Sequence, residues 1–462
     1  MSLVSGDGTK VNRRAFFDED IYALECERIF KRAWQFLAHE SEVAAPGEYV
    51  TRTLGGDAVI VTRDEDGRVN VLHNSCRHRG VQLCAADLGN TSHFRCSYHG
   101  WTYNNAGDLR GVPHAPELYG KRLDRATLGL KRARTESFCG LIFGTWQHDG
   151  PSLRETLGDM AWYMETVFGR CEMEVMGPPI RSDGAFNWKS GVENWSNDAY
   201  HADVTHKSVL QAGVGLDMPP VIAHTVAQGA GQPIPDPTLE KVSVCQYVVE
   251  GGHSGGVYRL PVNFEQRRPF LGYEPELWDE FASNLTPEQI DVATRRFACI
   301  GTVFPNFSFV EQVFGRLGDD TPPMPGVNIR VWLPLGANRT ELRSWVLVPK
   351  KASPQWKRNS QRAFLRTLGV GGMFETDDFQ NWASMAKVGT GPISFDTDND
   401  YTGLPDEQPT TELPWPGKVY PGMLHDVMWR ELYLEWQRWM DTDAAATPTG
   451  ATVPAAAQSA QS

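Results

Sequence analysis

Two short segments of this chain each place one cysteine close to one histidine, and no other feature constrains the fold as much. The first pair is Cys76 and His78, and the second, after seventeen intervening residues, is Cys96 and His99. Zinc fingers and ribbons usually pair cysteine with cysteine and histidine with histidine at fixed short spacings. The mixed pairing therefore indicates another kind of metal site, formed by two loops of one β unit.

Such mixed ligands suit a two-iron cluster in which both thiolates bind one iron and both imidazoles bind the other, the Rieske [2Fe–2S] arrangement. Neutral imidazoles raise the reduction potential from about −400 mV to between about −150 and +300 mV. Gly80 and Gly100 follow the two pairs and would let the backbone fold tightly around the cluster. A structural zinc site, or two unrelated buried cysteines, is the alternative. His73, His93 and Cys84 lie nearby, but we interpret them as ordinary side chains because no ligand position remains open.

A second group of metal-binding residue types lies in the segment ENWSNDAYHADVTH, residues 193–206. On a helix, Asp198 and His201 would share a face, so that the carboxylate can orient the imidazole. His201 and His206 are five residues apart, about 140° around an ideal helix. The helix must therefore loosen or end between them if both bind one metal.

Far downstream, the segment FETDDFQNW supplies two adjacent carboxylates, Asp377 and Asp378. Two histidines and one carboxylate would form the facial triad of a non-haem Fe(II) oxygenase, with open positions for dioxygen. Two histidines on one helix are more often solvent-facing or hydrogen-bonded, so their spacing alone is weak support. The upstream cluster favours iron, because zinc does no redox chemistry, whereas an iron that takes up single electrons needs a carrier.

Together these segments resemble the large (α) subunits of Rieske non-haem iron aromatic-ring-hydroxylating dioxygenases of the naphthalene and biphenyl dioxygenase type. The resemblance extends to about residue 440 and includes NSCRHRG, CSYHGWTYNNAG, GTVFPN and FETDDFQNW. It implies that both atoms of O2 enter an aromatic substrate to give a cis-dihydrodiol, with electrons from NAD(P)H through a reductase or ferredoxin. The alternatives are a Rieske monooxygenase or dealkylase, and a Rieske electron-transfer protein without oxygenase activity.

The same resemblance assigns residues. It implies that Cys76, His78, Cys96 and His99 hold the [2Fe–2S] cluster and that His201, His206 and Asp378 hold a mononuclear Fe(II). It implies catalytic roles for Asn194 and Asp198, with Asp198 joining His99 of one subunit to His201 of the next. Electron transfer between chains requires a head-to-tail ring, and the resemblance implies an α3β3 assembly with a small β subunit, or α3 alone.

Other positions concern the substrate. Trp195, Leu368 and Phe374 match positions that line the pocket in the resembled family, although a plain core role explains them equally well. The family commonly has glycine before the bridging aspartate and often phenylalanine after the asparagine, where this chain has Asn197 and Trp195. These departures concern the pocket and the substrate rather than the iron chemistry.

The sequence predicts an α+β protein. The expected parts are an N-terminal arm packing on the catalytic domain (1–39), a Rieske β-sandwich domain (40–155), a catalytic domain with a helix-covered, helix-grip-like antiparallel sheet (156–440) and a disordered tail (441–462). The tail is rich in Ala, Thr, Ser and Pro and lacks the apolar residues needed to pack.

Local signals add detail to this organisation. Apolar spacing predicts one amphipathic helix over residues 18–37. Asp66-Gly67 indicates a hairpin turn, and Thr286-Pro287-Glu288-Gln289 indicates the start of a helix. The segment GHSGG at 252–256 fits the G-x-S-x-G motif of hydrolases, but a strand-like segment follows it, which favours a hairpin turn. Helical patterns also return over residues 152–168.

Charge and hydropathy exclude several classes of protein. The 44 basic and 57 acidic residues give a net charge of −13, which argues against a nucleic-acid partner. The first twenty residues lack an apolar signal segment, and no apolar run approaches the roughly 18 residues that span a bilayer, so we expect a cytoplasmic protein without a membrane span. No dinucleotide-binding or P-loop motif is present, so the reducing equivalents must arrive from another protein.

Overall fold

Antiparallel strands form the framework of both halves of the chain. The computed structural model describes residues 2–211, 244–259, 270, 272–313, 324–403, 406, 408–422 and 424–442. The strands in chain order are β1 Lys10–Asn12, β2 Gln35–His39, β3 Glu48–Leu54, β4 Asp57–Arg63, β5 Val69–His73, β6 Leu88–Asn90, β7 His93–Arg95, β8 Thr102–Asn104, β9 Leu109–Gly111, β10 Arg134–Phe138, β11 Leu141–Thr145, β12 Met173–Val175, β13 Ile180–Gly184, β14 Val244–Val249, β15 His253–Arg259, β16 Arg296–Val303, β17 Phe307–Val313, β18 Pro325–Gly336, β19 Arg339–Pro349, β20 Asp398–Asp400 and β21 Lys418–Pro421.

The helices are short in the first half and longer towards the C-terminus. In chain order they are α1 Arg14–Phe17, α2 Glu19–Glu25, α3 Ala115–Tyr119, α4 Leu153–Leu157, α5 Met160–Met164, α6 Trp188–Trp195, α7 Ala202–Thr205, α8 Lys207–Gln211, α9 Trp278–Ser283, α10 Pro287–Arg295, α11 Pro354–Thr367, α12 Glu375–Gly389, α13 Pro392–Phe395 and α14 Val427–Asp441. Turns of π-helix cover Cys26–Phe30 and Glu165–Gly169, and turns of 3₁₀-helix cover Glu40–Val43 and Pro275–Leu277.

Three small antiparallel sheets form the N-terminal β unit. Their strand orders are β10-β11-β2, β5-β4-β3-β6 and β7-β8-β9. The hairpin predicted at Asp66-Gly67 joins β4 to β5, and Gly67 supplies the positive φ of the turn (80°). The β unit predicted for this part of the chain is therefore present, with β7 and β8 flanking the second Cys/His loop.

A large antiparallel sheet forms the C-terminal half. Among the described residues its order is β12-β19-β18-β17-β16-β15-β14-β21, and β13 also pairs with β19. It separates two apolar cores. One contains Phe309, Ile329 and Phe364 of α11; the other contains Trp188 of α6 and Trp332. The predicted antiparallel sheet covered by helices is confirmed, and α6 and α12 contribute to the same core.

The prediction of one helix over residues 18–37 is wrong beyond residue 30. The helix ends in the π-helical turn, and Gln35–His39 forms β2, which pairs with β11. All five residues of β2 are buried, and the Phe36 ring packs against the rings of Phe143 and Trp345 at 5.8 and 5.2 Å. Burial of both faces of this strand between the two halves overrides the helical spacing.

The structure also gives the outcome for the capping box at Thr286, for the helical region after residue 152 and for the segment GHSGG. Thr286 caps α10 through the predicted reciprocal capping box with Gln289. The helical region after residue 152 is interrupted at Gly158, where φ is 47°. The chain turns at Gly251 and Gly252, at the start of GHSGG, and the rest of the motif lies in β15. The buried Ser254 is therefore inside a strand and forms no nucleophile elbow.

The N-terminal arm contacts the catalytic half through β1, which pairs with β20, and through Phe16, which shares a core with Trp332. The proposed limits of the four segments stay predictions, and most of the predicted disordered tail lies outside the described residues. Across the described part of the chain, every helix is too short or too polar to cross a bilayer.

Candidate active site

The two Cys/His loops have the same backbone geometry. In each, the glycine N–H donates to the cysteine carbonyl, Gly80 to Cys76 at 2.8 Å and Gly100 to Cys96 at 3.0 Å. Both glycines have positive φ, 75° and 72°, a conformation that side-chain-bearing residues rarely adopt. Both cysteines are buried. The glycines therefore close two equivalent loops, each directing one thiol inward.

The two histidines of these loops lie side by side. The ring centroids of His78 and His99 are 4.6 Å apart, and His78 stacks on Trp101 at 4.8 Å. Nδ1 of His78 is buried and makes no hydrogen bond within the described residues, which is costly for a polar atom unless another partner binds it. Burial lowers the pKa of His78, which favours the neutral imidazole that ligates iron.

These residues fit a Rieske cluster: two buried thiols and two adjacent imidazoles from paired loops. His78 and His99 line an open hollow of about 640 Å³. The side chain of Tyr98, beside His99, is 60% exposed. The imidazole side of the site therefore opens to the surface, whereas the thiol side lies in the core.

In the second constellation α6 stops before the first histidine, and a separate short helix lies between the two histidines; this helix ends before His206, as the spacing required. Helix α6 ends at Trp195, and Asn197 adopts a φ of 82°. His201 then immediately precedes the short helix α7, and His206 immediately follows it. His201 and His206 therefore stand at the two ends of α7, with their Nε2 atoms 3.1 Å apart.

Asp378 joins the two histidines from the first turn of α12. Nε2 of His201 and Nε2 of His206 are 3.1 Å apart, and each lies 3.4 Å from Oδ1 of Asp378. Three ligand atoms at right angles and about 2.1 Å from one metal would be about 3.0 Å apart. The three side chains fit a facial metal site; in the described residues theirs is the one such group of His, Cys, Asp or Glu side chains.

The adjacent aspartates have different positions. Oδ2 of Asp377 lies 3.5 Å from Nδ1 of His206, on the side of the ring away from Asp378. Burial raises the pKa of Asp378 to about 7 and lowers that of His206 to about 4. Burial also lowers the pKa of His201, but its contacts with Asp198 outweigh this, and the pKa is raised. A divalent cation would replace a proton on Asp378 and compensate its buried charge.

Asn194 and Asp198 both contact His201. Nδ2 of Asn194 lies 3.4 Å from Nε2 of His201. Oδ2 of Asp198 lies 3.3 Å from Nδ1 of the same ring, and Oδ1 accepts from the His201 backbone N–H at 3.3 Å. Asp198 therefore lies beside Nδ1 of His201, on the side of the ring opposite the nitrogen that faces His206 and Asp378.

The three predicted pocket residues are not equivalent. The Phe374 ring lies 5.0 Å from the His206 ring. Trp195 and Leu368 instead meet at Arg330, whose guanidinium lies 3.9 Å from the Trp195 ring centroid and donates to the Leu368 carbonyl at 2.9 Å. Phe374 is placed at the metal site, and the other two lie beside a buried cation.

Sequence reasoning missed two buried polar groups beside the site. Arg330 forms a bidentate ion pair with Glu375 at 2.9 and 2.7 Å, and Glu375 precedes Asp378 by one helical turn. The Glu193 carboxylate accepts from Tyr401 at 3.0 Å and from Tyr433, and burial raises its pKa to about 7. The members of each contact are far apart in the sequence, so their spacing gave no indication that they would meet. Only the position of Glu375, three residues before Asp378 on the same helix, could have suggested a role near the site.

A two-loop Cys/His site and a separate His–His–carboxylate site in one chain define the class of Rieske non-haem iron oxygenases. Comparison with known proteins agrees. Residues 33–126 match the Rieske [2Fe-2S] domain family, and residues 172–397 match the family of ring hydroxylating alpha subunit catalytic domains.

Relatives extend over nearly the whole chain. The N,N-dimethyl phenylurea N-demethylase α subunit of Sphingobium sp. (strain YBL2) is 33% identical over 93% of this chain and 91% of its own. The large oxygenase component of naphthalene 1,2-dioxygenase of Pseudomonas aeruginosa is 35% identical over 84% of this chain and 81% of its own. The crystal structure of naphthalene 1,2-dioxygenase from Rhodococcus sp. bound to indole superposes with a TM-score of 0.84 at 35% identity, covering 93% of this chain and 94% of that one.

The chain belongs to the family of ring-hydroxylating dioxygenase α subunits. It is the oxygenase component, with a Rieske [2Fe–2S] cluster and a mononuclear iron as the family's cofactors. The family acts on aromatic substrates with O2 and electron-transfer partners.

Proposed function

We propose that this chain adds both atoms of O2 to an aromatic ring and forms a cis-dihydrodiol. The convergence of His201, His206 and Asp378 on one point is the observation that carries the proposal. An electron-transfer protein would not require it. In this proposal Cys76, His78, Cys96 and His99 hold the cluster. These four ligands lie within 24 residues of the chain.

When bound, the iron supplies the activation of dioxygen, using electrons from the cluster. The residues of the chain orient the two histidine rings and enclose the site. Asp198 fixes the His201 ring through Nδ1, and Asp377 contacts the same atom of His206, so that both Nε2 atoms face Asp378. Asn194 places an amide beside His201, and Phe374 closes one side of the site.

We also propose that the chain assembles head to tail, with Asp198 bridging to His99 of a neighbouring subunit. Within the described residues of one chain, no hydrogen bond or ion pair joins the two side chains. Asp198 lies on the outer side of His201 with 21% of its side chain exposed, and His99 lines an open hollow. Both groups are therefore accessible to a neighbouring subunit, in α3 or, with a small β subunit, in α3β3.

The test is a pair of aspartate substitutions. Asp378→Ala is expected to lose the mononuclear iron and product formation, while acid-labile sulfide and the visible absorption of the cluster persist. The control Asp377→Ala removes the contact with His206 Nδ1 but no proposed ligand, so the iron affinity falls by about 10- to 100-fold, typical for an outer partner. Full iron content and turnover in Asp378→Ala would contradict the assigned triad.

N-demethylation is a second candidate, because the Sphingobium relative is named for it. Naphthalene, benzene and an N,N-dimethyl phenylurea, each supplied with ¹⁸O2 and an electron donor, separate the two activities. A cis-dihydrodiol carrying two labelled oxygens supports dioxygenation. Formaldehyde with the demethylated urea, and no diol from either hydrocarbon, would instead support demethylation.

A further inference from the structure

The turn between α6 and α7 carries Asp198 and has a defined backbone conformation. Asn197 has a φ of 82°, which asparagine tolerates better than most residues other than glycine. The N–H of Asp198 donates to the Asn194 carbonyl at 3.0 Å, and that of Ala199 donates to the Asn197 carbonyl at 2.9 Å. The orientation of Asp198 therefore depends on what holds Asn197.

The Asn197 side chain is buried against the large sheet, in a position next to Gly256 and Tyr258 of β15 that is called its seat below. Its Oδ1 accepts a hydrogen bond from the Tyr258 hydroxyl at 2.7 Å. A β-carbon at Gly256 would lie 2.4 Å from Cγ of Asn197, so the amide occupies space that a larger residue in β15 would fill. From β14, Nε2 of Gln246 donates to the Asn197 carbonyl at 3.5 Å.

The phenol of Tyr258 is suited to a permanent donor role. Burial raises the pKa of Tyr258, and the nearby Asp198 carboxylate adds to the increase. The hydroxyl therefore keeps its proton at ordinary pH and continues to donate to Asn197. It is the one side-chain donor to the Asn197 amide oxygen among the described residues.

We propose that Asn197 is a positioning residue for electron entry: seated on Gly256 and held by Tyr258, it fixes the turn so that Asp198 meets Nδ1 of His201. This inference rests on the proposed bridging role of Asp198. Glycine at position 197 would permit the same φ but would leave the seat empty. The turn would then be held by its backbone hydrogen bonds and by the contact of Gln246 with the carbonyl of residue 197.

The experiment uses the protein with both cofactors bound. The reduced enzyme with substrate is mixed with O2, and reoxidation of the cluster is followed by its visible absorption. Asn197→Gly and Tyr258→Phe are each expected to slow reoxidation by about 5- to 10-fold, since one net hydrogen bond is lost and small misplacements strongly affect rates. The double variant is expected to be no slower than Asn197→Gly, because both changes remove the same contact.

Two further readouts separate positioning from a general structural role. The mononuclear iron content and the KM for the aromatic substrate are expected to stay unchanged in both variants. Backbone hydrogen exchange of residues 196–202 is measured on the metal-free wild type and on each metal-free variant. It is expected to be faster in the variants, because hydrogen exchange reports local opening of the backbone.

Tyr247→Phe is the matched control. Tyr247 is also buried in the sheet, but its hydroxyl donates to the Ile300 carbonyl at 2.9 Å, so this variant is expected to reoxidise at the wild-type rate. Wild-type rates in Asn197→Gly and Tyr258→Phe, equal slowing in Tyr247→Phe, or multiplicative slowing in the double variant would overturn the inference. Failure of the wild-type cluster to reoxidise at all would instead contradict the proposed function.

Discussion

The two metal sites of this protein are built in opposite ways. The four proposed cluster ligands lie within residues 76–99, on two loops with matching hydrogen bonds and matching glycines. The proposed iron ligands combine a broken helix with Asp378, 177 residues beyond His201. Backbone geometry therefore organises the first site, whereas the second depends on how helices α6 and α12 pack on the large sheet.

Buried polar contacts provide that packing for the iron site. The Arg330–Glu375 pair ties the first turn of α12 to β18, and Glu193 ties α6 to Tyr401 and to Tyr433 of α14. No comparable network of distant charges surrounds the cluster loops in the described residues. Substitutions far from the metal are therefore expected to affect the iron site more than the cluster.

The largest effect is expected from Arg330→Met. This substitution leaves Glu375 buried without its partner, which costs about 3–5 kcal/mol and frees the start of α12. We expect loss of the mononuclear iron at unchanged cluster absorption. Arg339→Met in the next strand is the control, because its ion pair with Asp183 is exposed and is worth at most about 1 kcal/mol. Equal loss of both metal centres in Arg330→Met would show that the iron site depends on this ion pair no more than the cluster does.

An intermediate effect is expected from Glu193→Gln, and it depends on pH. The folded pKa of Glu193, about 7, exceeds the ordinary value of 4.5, so the folded state holds the proton more tightly. The stability contributed by this group is complete below pH 4.5 and is lost as the pH rises through 7, by about 3 kcal/mol at most. Denaturant unfolding at pH 5 and pH 8 is expected to show a smaller difference for Glu193→Gln than for the wild type. If the difference in unfolding free energy between pH 5 and pH 8 were the same in Glu193→Gln and in the wild type, the raised pKa of Glu193 would be contradicted.

The smallest effects are expected from substitutions of the two glycines in the cluster loops. Gly80→Ala places a β-carbon in open space, 3.9 Å from Ser75 Oγ, whereas at Gly100 the β-carbon meets Pro113 at 3.0 Å. Positive φ costs each variant about 1–2 kcal/mol, and the contact adds to the cost only at Gly100. Cluster content per chain after purification is expected to fall more in Gly100→Ala. A larger loss of cluster in Gly80→Ala than in Gly100→Ala would show that the two loops differ in more than the contact with Pro113.

Much of the fold and of the site was accessible from local sequence. The hairpin at Asp66-Gly67 and the capping box at Thr286 involve neighbours in the chain and were confirmed. The helix expected over residues 18–37 failed where β2 is buried on both faces, because burial between two layers hides the period of a strand. The end of the short helix before His206 followed from the spacing, but the break at Asn197, which separates α6 from His201, did not.

By itself, the sequence determined the two kinds of metal site and the residue types that serve them, because thiol, imidazole and carboxylate spacings along a loop or helix are set by local backbone geometry. Only the tertiary structure showed that Asp378 rather than Asp377 faces both histidines. Likewise, only folding brought Arg330, Tyr258 and Tyr433 to the site. These contacts join residues far apart in the chain, and their positions depend on which faces of the sheet and helices become buried together.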